Sequence, residues 1–248
     1  MPFLVGMPPL LTQLNNGQTQ ISTQPKSNRV MGAIKDNELD RVLDKIEQMK
    51  FSTQLTTQQS TPVDIIKTKL QEKGITDPKE VAQFLATAKV ESNFKFTPEN
   101  LAGYKNTDTS RIRKIFKNKV KNLSDEDIDR LKQQPEKLFD VIYKDLGGSK
   151  YRGRGPLQIT GVKNYELISN QLFGDNRLVQ NPELLENPET AINASIEFWK
   201  LNNLGEIGRQ KGFDEVQRLI NVGPKGSLSR VQDLDKRRKF FNQYFFNR

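Results

Sequence analysis

Apolar side chains recur with helical spacing along most of the chain from Pro62 onward. One such helix opens with Asp77 as N-cap, Pro78 at the first helical position and Glu80 in the place of a capping-box glutamate. Its apolar stripe runs to about Ser92. The same period predicts helices over residues 110–120, 125–133, 135–144, 162–173, 189–202, 213–221 and 227–247, while strand-like alternation is scarce and best at 157–160. The pattern therefore predicts one mainly α domain over residues 62–248.

The first 61 residues differ from the rest of the chain in composition. Residues 12–24 and 52–61 are mostly Gln, Thr, Ser and Asn, and such tracts bury too little apolar area to offset the entropy lost on ordering. Between them, residues 36–50 show the apolar spacing of one amphipathic helix. A lone helix of that length is marginal in water, so it needs a partner surface. We interpret residues 1–61 as an extended, polar and partly helical N-terminal arm that serves for docking or as a linker.

The composition excludes several kinds of chemistry. The 248 residues include no cysteine and no histidine. Disulfides, thiol nucleophiles, thiolate or histidine zinc sites and serine–histidine–aspartate hydrolysis are therefore absent. If the chain is a hydrolase, its acid and base are expected to be carboxylates, and we expect no cofactor and no bound metal.

The chain is strongly basic. Lys and Arg number 39 against 30 Asp and Glu, a net charge of +9, which favours an anionic partner such as an acidic cell-wall polymer. The basic residues are dispersed rather than gathered into one aromatic-flanked stripe, so we expect no nucleic-acid partner. No apolar run approaches the roughly 18 residues that a membrane span requires. Residues 1–11 are apolar but follow no basic residue and include two adjacent prolines, which is not typical of a signal peptide.

Glu91 is the first candidate catalytic carboxylate. Helical spacing places it on the same stripe as Phe84 and Ala88, in the last turn of the predicted helix. Partial burial and the negative end of the helix dipole would both raise its pKa, as a general acid requires. The alternative is that the helix frays and Glu91 is an ordinary solvated charge, and the spacing alone favours that alternative.

Two further features follow along the chain. Thr97-Pro98 forces an extended or turn geometry, so Glu99 lies off the helix and could face Glu91 across a groove, although a surface glutamate is the simpler interpretation. Residues 151–161 form a glycine-rich polar loop in which the backbone could approach a ligand closely. The loop lacks the spacings of nucleotide-binding motifs, and a basic turn without a ligand remains the alternative.

Five blocks of residues together resemble glycoside hydrolase family 19, which comprises chitinases and bacteriophage endolysins. The blocks occur in the family's order and cover nearly all of residues 62–248. They are Lys89-Val90-Glu91-Ser92-Asn93-Phe94, Glu99-Asn100-Leu101, residues 151–161 with Asn164-Tyr165, Asn181-Pro182-Glu183 with Phe198-Trp199, and Ile220-Asn221-Val222-Gly223. The run Arg-Gly-Arg-Gly-Pro-Leu-Gln-Ile-Thr-Gly within them is highly specific.

The resemblance implies a mainly α, lysozyme-like fold of two lobes with a glycan cleft between them. It implies that Glu91 is the general acid, that Glu99 activates a water molecule and that Thr160 helps to hold this water, with inversion at the anomeric carbon. The residues implied to bind the sugar or to support the cleft are Gln158, Asn164, Asn221, Tyr151 and Arg154.

The chain also departs from the family's pattern. Val90 stands where the family has a histidine directly before the catalytic glutamate, which we expect to alter local hydrogen bonding without removing activity. One residue is in effect inserted after Asn100-Leu101, so the placement of Glu99 is less secure than that of Glu91. Val222 replaces a usual glycine beside Asn221.

These features lead to the expectation of a peptidoglycan-cleaving glycosidase of the phage endolysin type. The short cysteine-free loops and Glu99-Asn100-Leu101 are similar to the phage members, and the basic charge suits an anionic wall. We expect peptidoglycan glycan strands as substrate, a phage particle as the assembly bound through residues 1–61, and a location in the virion or in the host cytoplasm before release. The alternatives are a chitinase and a structural virion or wall-binding protein that keeps the fold without activity.

Overall fold

A computed structural model describes residues 61–246 of the chain. The predicted helix over residues 36–50 lies outside the described residues, as does almost all of the predicted N-terminal arm. Eleven α-helices lie between residues 61 and 246. They are α1 (Pro62–Glu72), α2 (Pro78–Glu91), α3 (Thr109–Ile115), α4 (Asp125–Lys132), α5 (Pro135–Ile142), α6 (Val162–Phe173), α7 (Arg177–Gln180), α8 (Pro188–Leu201), α9 (Leu204–Lys211), α10 (Phe213–Val222) and α11 (Leu234–Phe246).

The described part of the chain is mainly helical, as the periodicity predicts, although several boundaries differ. The helix predicted over 110–120 ends at Ile115, because Phe116 leaves the helix and its ring packs in an aromatic cluster. The helix predicted over 227–247 begins only at Leu234, after a short 3-10 turn at Leu228–Arg230. The strand-like alternation at 157–160 does not form a strand: residues 151–161 have one isolated bridge, between Arg154 and Ile159.

Two separate hydrophobic cores divide the described residues into two lobes. The larger lobe is built on α1, α2 and α6–α11, and its core includes Phe84 and Trp199, whose ring centroids lie 5.3 Å apart. The smaller lobe is built on α3–α5 around an aromatic cluster of Tyr104, Phe116 and Phe139. This arrangement fits the two-lobed fold that the resemblance implies.

Helix α2 carries Glu91 and begins as predicted. The Asp77 side chain accepts the backbone N–H of Glu80 at 2.7 Å, and Pro78 occupies the first turn. The Glu80 carboxylate, however, does not complete a capping box. It accepts the Trp199 indole N–H at 3.0 Å and pairs with Arg209 at 2.8 Å. Glu80, which the sequence predicts to cap the start of α2, instead links α2 to α8 and α9.

Helix α9 was not predicted, because Gly205 and Gly208 lower its intrinsic helix propensity. Both glycines lie against α2: a Cβ atom added at Gly205 would collide with the Glu80 carboxylate, and one at Gly208 with the Gln83 amide. The absence of side chains at these two positions therefore lets α9 approach α2 closely.

We expect Gly208→Ala to destabilise the protein by about 1–2 kcal/mol, because overpacking against buried Gln83 outweighs the better helix propensity of alanine. Urea unfolding followed by circular dichroism measures the change. Gly103→Ala is the matched control, since nothing lies within 4 Å of a Cβ atom added there. A Gly208→Ala protein as stable as the parent would contradict the packing argument.

Candidate active site

Glu91 is the last residue of α2 and is only 6% exposed. Its Oε1 accepts a hydrogen bond from Arg237 Nη2 at 2.6 Å, and both side chains are fully buried. The helix does not fray before this residue, so the solvated-charge alternative is wrong. The burial agrees with the position of Glu91 on the apolar stripe.

All three nitrogen atoms of the Arg237 guanidinium group donate hydrogen bonds within the protein. Its Nε donates to the Gln232 carbonyl at 2.9 Å and its Nη1 to Gln217 Oε1 at 2.8 Å. Gln217 in turn donates to Thr87 Oγ1 at 2.9 Å, which returns the network to α2. Helix α11, which carries Arg237, packs along α2, with Tyr244 edge-on to Phe94. The network fixes the orientation of the Glu91 carboxyl group.

Arg237 was missed by sequence reasoning, although a signal for it exists. It falls on the helical stripe of α11 that also carries Leu234, Phe241 and Tyr244, which are partly buried. An arginine on an apolar stripe requires a buried anion, because charged residues are almost never fully buried unless paired. The stripe therefore indicates that a carboxylate lies under α11, but not which one.

Burial raises the pKa of Glu91 above its ordinary value. The Arg237 guanidinium opposes this shift, and the nearby charge of Asp233 adds to it. The upward direction is the one that a general acid needs, because the group then keeps its proton closer to neutral pH.

Glu99 follows Thr97-Pro98 in a loop, as expected. Its backbone N–H donates to the Gly153 carbonyl at 2.8 Å, and the Tyr143 hydroxyl donates to its Oε2 at 3.2 Å. Burial raises the pKa of Glu99 to about 7, with the Tyr143 hydrogen bond acting in the opposite direction. A cavity of about 750 Å³ opens beside it, lined also by Arg152 and by the start of α5.

The loop of residues 151–161 connects the two candidate carboxylates. Ser92, which follows Glu91, donates its hydroxyl to the Pro156 carbonyl at 2.9 Å. Glu99 is bonded to Gly153 of the same loop through its backbone. The same loop therefore holds the chain at both glutamates. It does so through Pro156, which contacts Ser92, and Gly153, which contacts Glu99; these two loop residues are three positions apart.

Within this loop the polar side chains are ordered by backbone oxygens. The Gln158 amide donates to the Gly155 carbonyl at 3.1 Å, and the Thr160 hydroxyl donates to the Gln158 carbonyl at 3.0 Å. Asn164, in the first turn of α6, donates to the Thr160 carbonyl at 2.8 Å. Gln158 has a left-handed backbone, with φ of 51°, which is uncommon for a residue other than glycine.

Tyr151 and Arg154 have different surroundings from the other predicted site residues. The Tyr151 hydroxyl donates to the Val179 carbonyl at 3.1 Å. Arg154 pairs with Glu186 at 3.0 Å and donates to the Tyr165 hydroxyl at 3.0 Å. Because their polar groups are engaged within the protein, these contacts favour the supporting role among the two that the resemblance implies.

Asn221 joins the site through the segment that leads to α11. Its Oδ1 accepts the backbone N–H of Gln232 at 2.9 Å, and the Gln232 carbonyl accepts from Arg237. Residues 232–237 therefore connect the two site residues: Gln232 at one end contacts Asn221, and Arg237 at the other end contacts Glu91.

Several polar atoms at this site are buried without a hydrogen-bond partner among residues 61–246. They include Glu91 Oε2, Glu99 Oε1, Asn221 Nδ2 and Arg152 Nε. Most buried polar atoms in proteins are hydrogen-bonded, so each unpaired one calls for an explanation, and a catalytic role is one such explanation. One oxygen of each candidate carboxylate therefore accepts no hydrogen bond within the described residues.

No group of three or more acidic residues within the described range is arranged to hold a metal ion. None of the helices between residues 61 and 246 has the length and apolar character needed to cross a membrane.

We expect Glu99→Gln to raise stability by about 3 kcal/mol at pH 8 and by nearly nothing at pH 4. The carboxyl group is protonated in both states at pH 4; as pH rises, the unfolded chain ionises near 4.5 but the folded one only near 7, so folding loses stability across that window. Glutamine never ionises and avoids this loss. Thermal melts from pH 4 to 8 measure the stability difference between the variant and the parent, and the exposed Glu136→Gln is the control. A stability difference that does not change with pH would contradict the prediction.

Three curated proteins are similar to part of this chain. One is a glycosyl hydrolase family 19 domain-containing protein of Haemophilus influenzae, 28% identical over 106 residues, which cover 39% of this chain and 50% of that protein. Another is acidic endochitinase SP2 of Beta vulgaris, 28% identical over 102 residues, covering 41% of this chain and 34% of the relative. The third is an acidic 27 kDa endochitinase of Solanum lycopersicum, 26% identical over 117 residues, covering 39% of this chain and 47% of the relative.

These relatives support a chitinase-like domain of the glycoside hydrolase class in this chain. In particular, they support the resemblance to family 19, and the helical two-core fold fits the lysozyme-like fold of that family. The similarity spans between about a third and a half of the length of each relative. No family model matches the chain.

Proposed function

We propose that this protein is a glycosidase that hydrolyses β-1,4 bonds of bacterial peptidoglycan by carboxylate acid–base chemistry. The observation that carries the proposal is the pair of glutamates, Glu91 and Glu99, each with one buried carboxyl oxygen that has no partner among the described residues. Both are anchored to the loop of residues 151–161. Glycoside hydrolysis uses two carboxyl groups, one on each side of the scissile bond.

In the proposed reaction Glu91, protonated at Oε2, donates its proton to the glycosidic oxygen as the bond to the anomeric carbon breaks. Glu99 Oε1 accepts a proton from the water that attacks this carbon from the opposite face, so the configuration inverts. The Thr160 hydroxyl donates its hydrogen to the Gln158 carbonyl, which leaves its oxygen lone pairs to accept the second hydrogen of that water. Gln158, Asn164 and Asn221 bind the polar groups of the sugar.

Chitin is the second candidate substrate. Two of the similar proteins are endochitinases, which favours a neutral N-acetylglucosamine polymer. The net charge of +9 and the likeness of Glu99-Asn100-Leu101 to the phage endolysin version of this motif favour the anionic wall polymer instead.

Mass spectrometry of purified peptidoglycan digested by the protein tests the proposal. We expect glycan fragments with new reducing ends, and the terminal sugar of these fragments identifies the bond that is cut. Release of reducing sugar from colloidal chitin is measured in parallel. Fragments produced by cutting between glycan and peptide, or products from chitin alone, would refute the proposed activity.

Residues 1–61 are proposed to dock the enzyme on a phage particle that must breach the cell wall. The helix predicted over residues 36–50 carries an apolar stripe that needs a partner surface. An enzyme borne on the virion reaches the wall from outside and does not depend on a signal peptide. A structural virion or wall-binding protein with the same fold would dock in the same way but would release no product.

We expect deletion of residues 1–60 to leave hydrolysis within about twofold of the parent and to abolish incorporation into the particle. The deletion keeps Thr61, whose hydroxyl accepts the Asp64 N–H at 3.2 Å and caps α1. Turbidity loss of a wall suspension measures activity, and immunoblots of purified particles measure incorporation. A truncated chain that fails to fold would show that these residues belong to the catalytic core instead.

A further inference from the structure

The arginines of the described chain fall into two groups. Eight of them form ion pairs with carboxylates, whereas Arg111, Arg152 and Arg230 form none within residues 61–246. The paired ones are Arg113, Arg130, Arg154, Arg177, Arg209, Arg218, Arg237 and Arg238. All three of the others line cavities: Arg152 the one beside Glu99, and Arg111 and Arg230 a larger groove.

This groove has a volume of about 1260 Å³ and lies where the two lobes meet. The smaller lobe contributes Arg111 and Lys114 from α3, and the larger lobe contributes Arg230, Gln232 and Asp233 from the segment before α11. Lys114 also has no ion pair among the described residues. We call this set the basic groove; it contains three cationic side chains and one carboxylate.

Two residues that line the basic groove, Gln232 and Asp233, also belong to the surroundings of Glu91. The Gln232 backbone N–H is bonded to Asn221, and its carbonyl accepts from Arg237, the partner of Glu91. Asp233 is near enough to Glu91 for its charge to affect that carboxyl group. The groove therefore lies close to the residues that hold Glu91.

The charges in the groove favour an anionic ligand. Arg111 and Lys114 are exposed and lie three residues apart on α3, so they are neighbours on one helix face and repel one another. Arg230 adds a third exposed cation from the opposite lobe. A guanidinium group binds a carboxylate through two parallel hydrogen bonds, and such charge-assisted bonds are stronger than neutral ones.

Chitin and peptidoglycan differ in charge, and charge is what these three cationic side chains respond to. A chitin strand carries no charge and would leave all three cations without a partner. A peptidoglycan strand carries carboxylates on the peptides attached to alternate sugars.

We propose that the basic groove binds carboxylates of the peptide side chains of peptidoglycan, so that the enzyme selects an anionic glycan over a neutral one. This inference rests on the proposed function, because it names the part of the substrate that the groove recognises. Arg111, Lys114 and Arg230 supply the contacts, and Glu91 and Glu99 act on the bond outside the groove.

The test uses the full-length chain with Arg111→Gln, Lys114→Gln and Arg230→Gln combined. The matched control combines Lys67→Gln, Lys73→Gln and Lys211→Gln, which removes the same charge at exposed positions away from both cavities. Two substrates are compared: intact peptidoglycan, and the same material with its carboxylates converted to methylamides. The readout is the ratio of KM for the amidated substrate to KM for the intact one.

For the parent and the control we expect a ratio of about ten, and for the groove variant a ratio near one, because each exposed charge contact contributes only a small factor. Cosedimentation with both insoluble substrates, measured in the Glu91→Gln background, gives the same comparison without catalysis. A parent ratio near one, a groove variant that keeps the parent ratio, or a control that loses it equally would overturn the inference. If the parent releases no product but shows the binding difference, the proposed activity is wrong and the inference about the groove stands.

Discussion

Replacing Glu91 by glutamine is expected to reduce hydrolysis about 1,000-fold. Glutamine has no acidic proton to give the leaving oxygen, and loss of a general acid costs between about 10²- and 10⁴-fold. The shape of the side chain is kept, and its amide oxygen can still accept from Arg237. Release of soluble fragments from labelled peptidoglycan measures the effect, because it remains quantitative at low rates.

The matched control is Glu166→Gln, which changes an exposed glutamate of α6. The melting temperature of Glu91→Gln should stay within a few degrees of the parent at pH 5, because burial raises the pKa of Glu91 and a neutral glutamine keeps the acceptor for Arg237. Activity within a few-fold of the parent would remove Glu91 from the catalytic role. Glycan binding that is retained while turnover is lost would place the defect in the chemical step.

Replacing Arg237 by methionine is expected to destabilise the protein by about 3–5 kcal/mol at pH 8. Glu91 is fully buried and would then have no compensating charge, and breaking a buried ion pair from one side typically costs that much. The loss should be smaller at pH 5. Without Arg237 the pKa of Glu91 rises further, so the folded state holds its proton while the unfolded state ionises, and stability falls as pH rises.

The double variant Glu91→Gln with Arg237→Met separates the charge effect from the loss of packing. It should recover part of the stability at pH 8 and show little of the pH dependence of the single Arg237→Met variant. Urea unfolding at pH 5 and pH 8 provides the comparison. If the single and double variants have the same pH dependence, Arg237 acts mainly through its hydrogen bonds to Gln217 and Gln232 rather than through the charge of Glu91.

Features that depend on near neighbours in the chain could be predicted from the sequence. Asp77 and Pro78 define the start of α2 because capping and proline effects act within one turn. The apolar period places Glu91 on the stripe that the structure buries, although the spacing alone favoured a solvated charge. Thr97-Pro98 takes Glu99 off the helix for an equally local reason. The order of the motifs was sufficient to suggest the family.

Features that depend on distant residues were decided only by the tertiary structure. Glu91 is paired with Arg237, 146 residues away, and helical periodicity carries no information about which buried cation meets which buried anion. Glu99 accepts a hydrogen bond from Tyr143, 44 residues away, and its pKa rises because the folded chain removes it from water. Helix α9 forms although its glycines disfavour it, because their missing side chains let it pack on α2. In each case the stabilising contact joins segments that are far apart in the sequence. Local sequence patterns therefore predict the helices, whereas the environment of each catalytic candidate depends on how the helices pack.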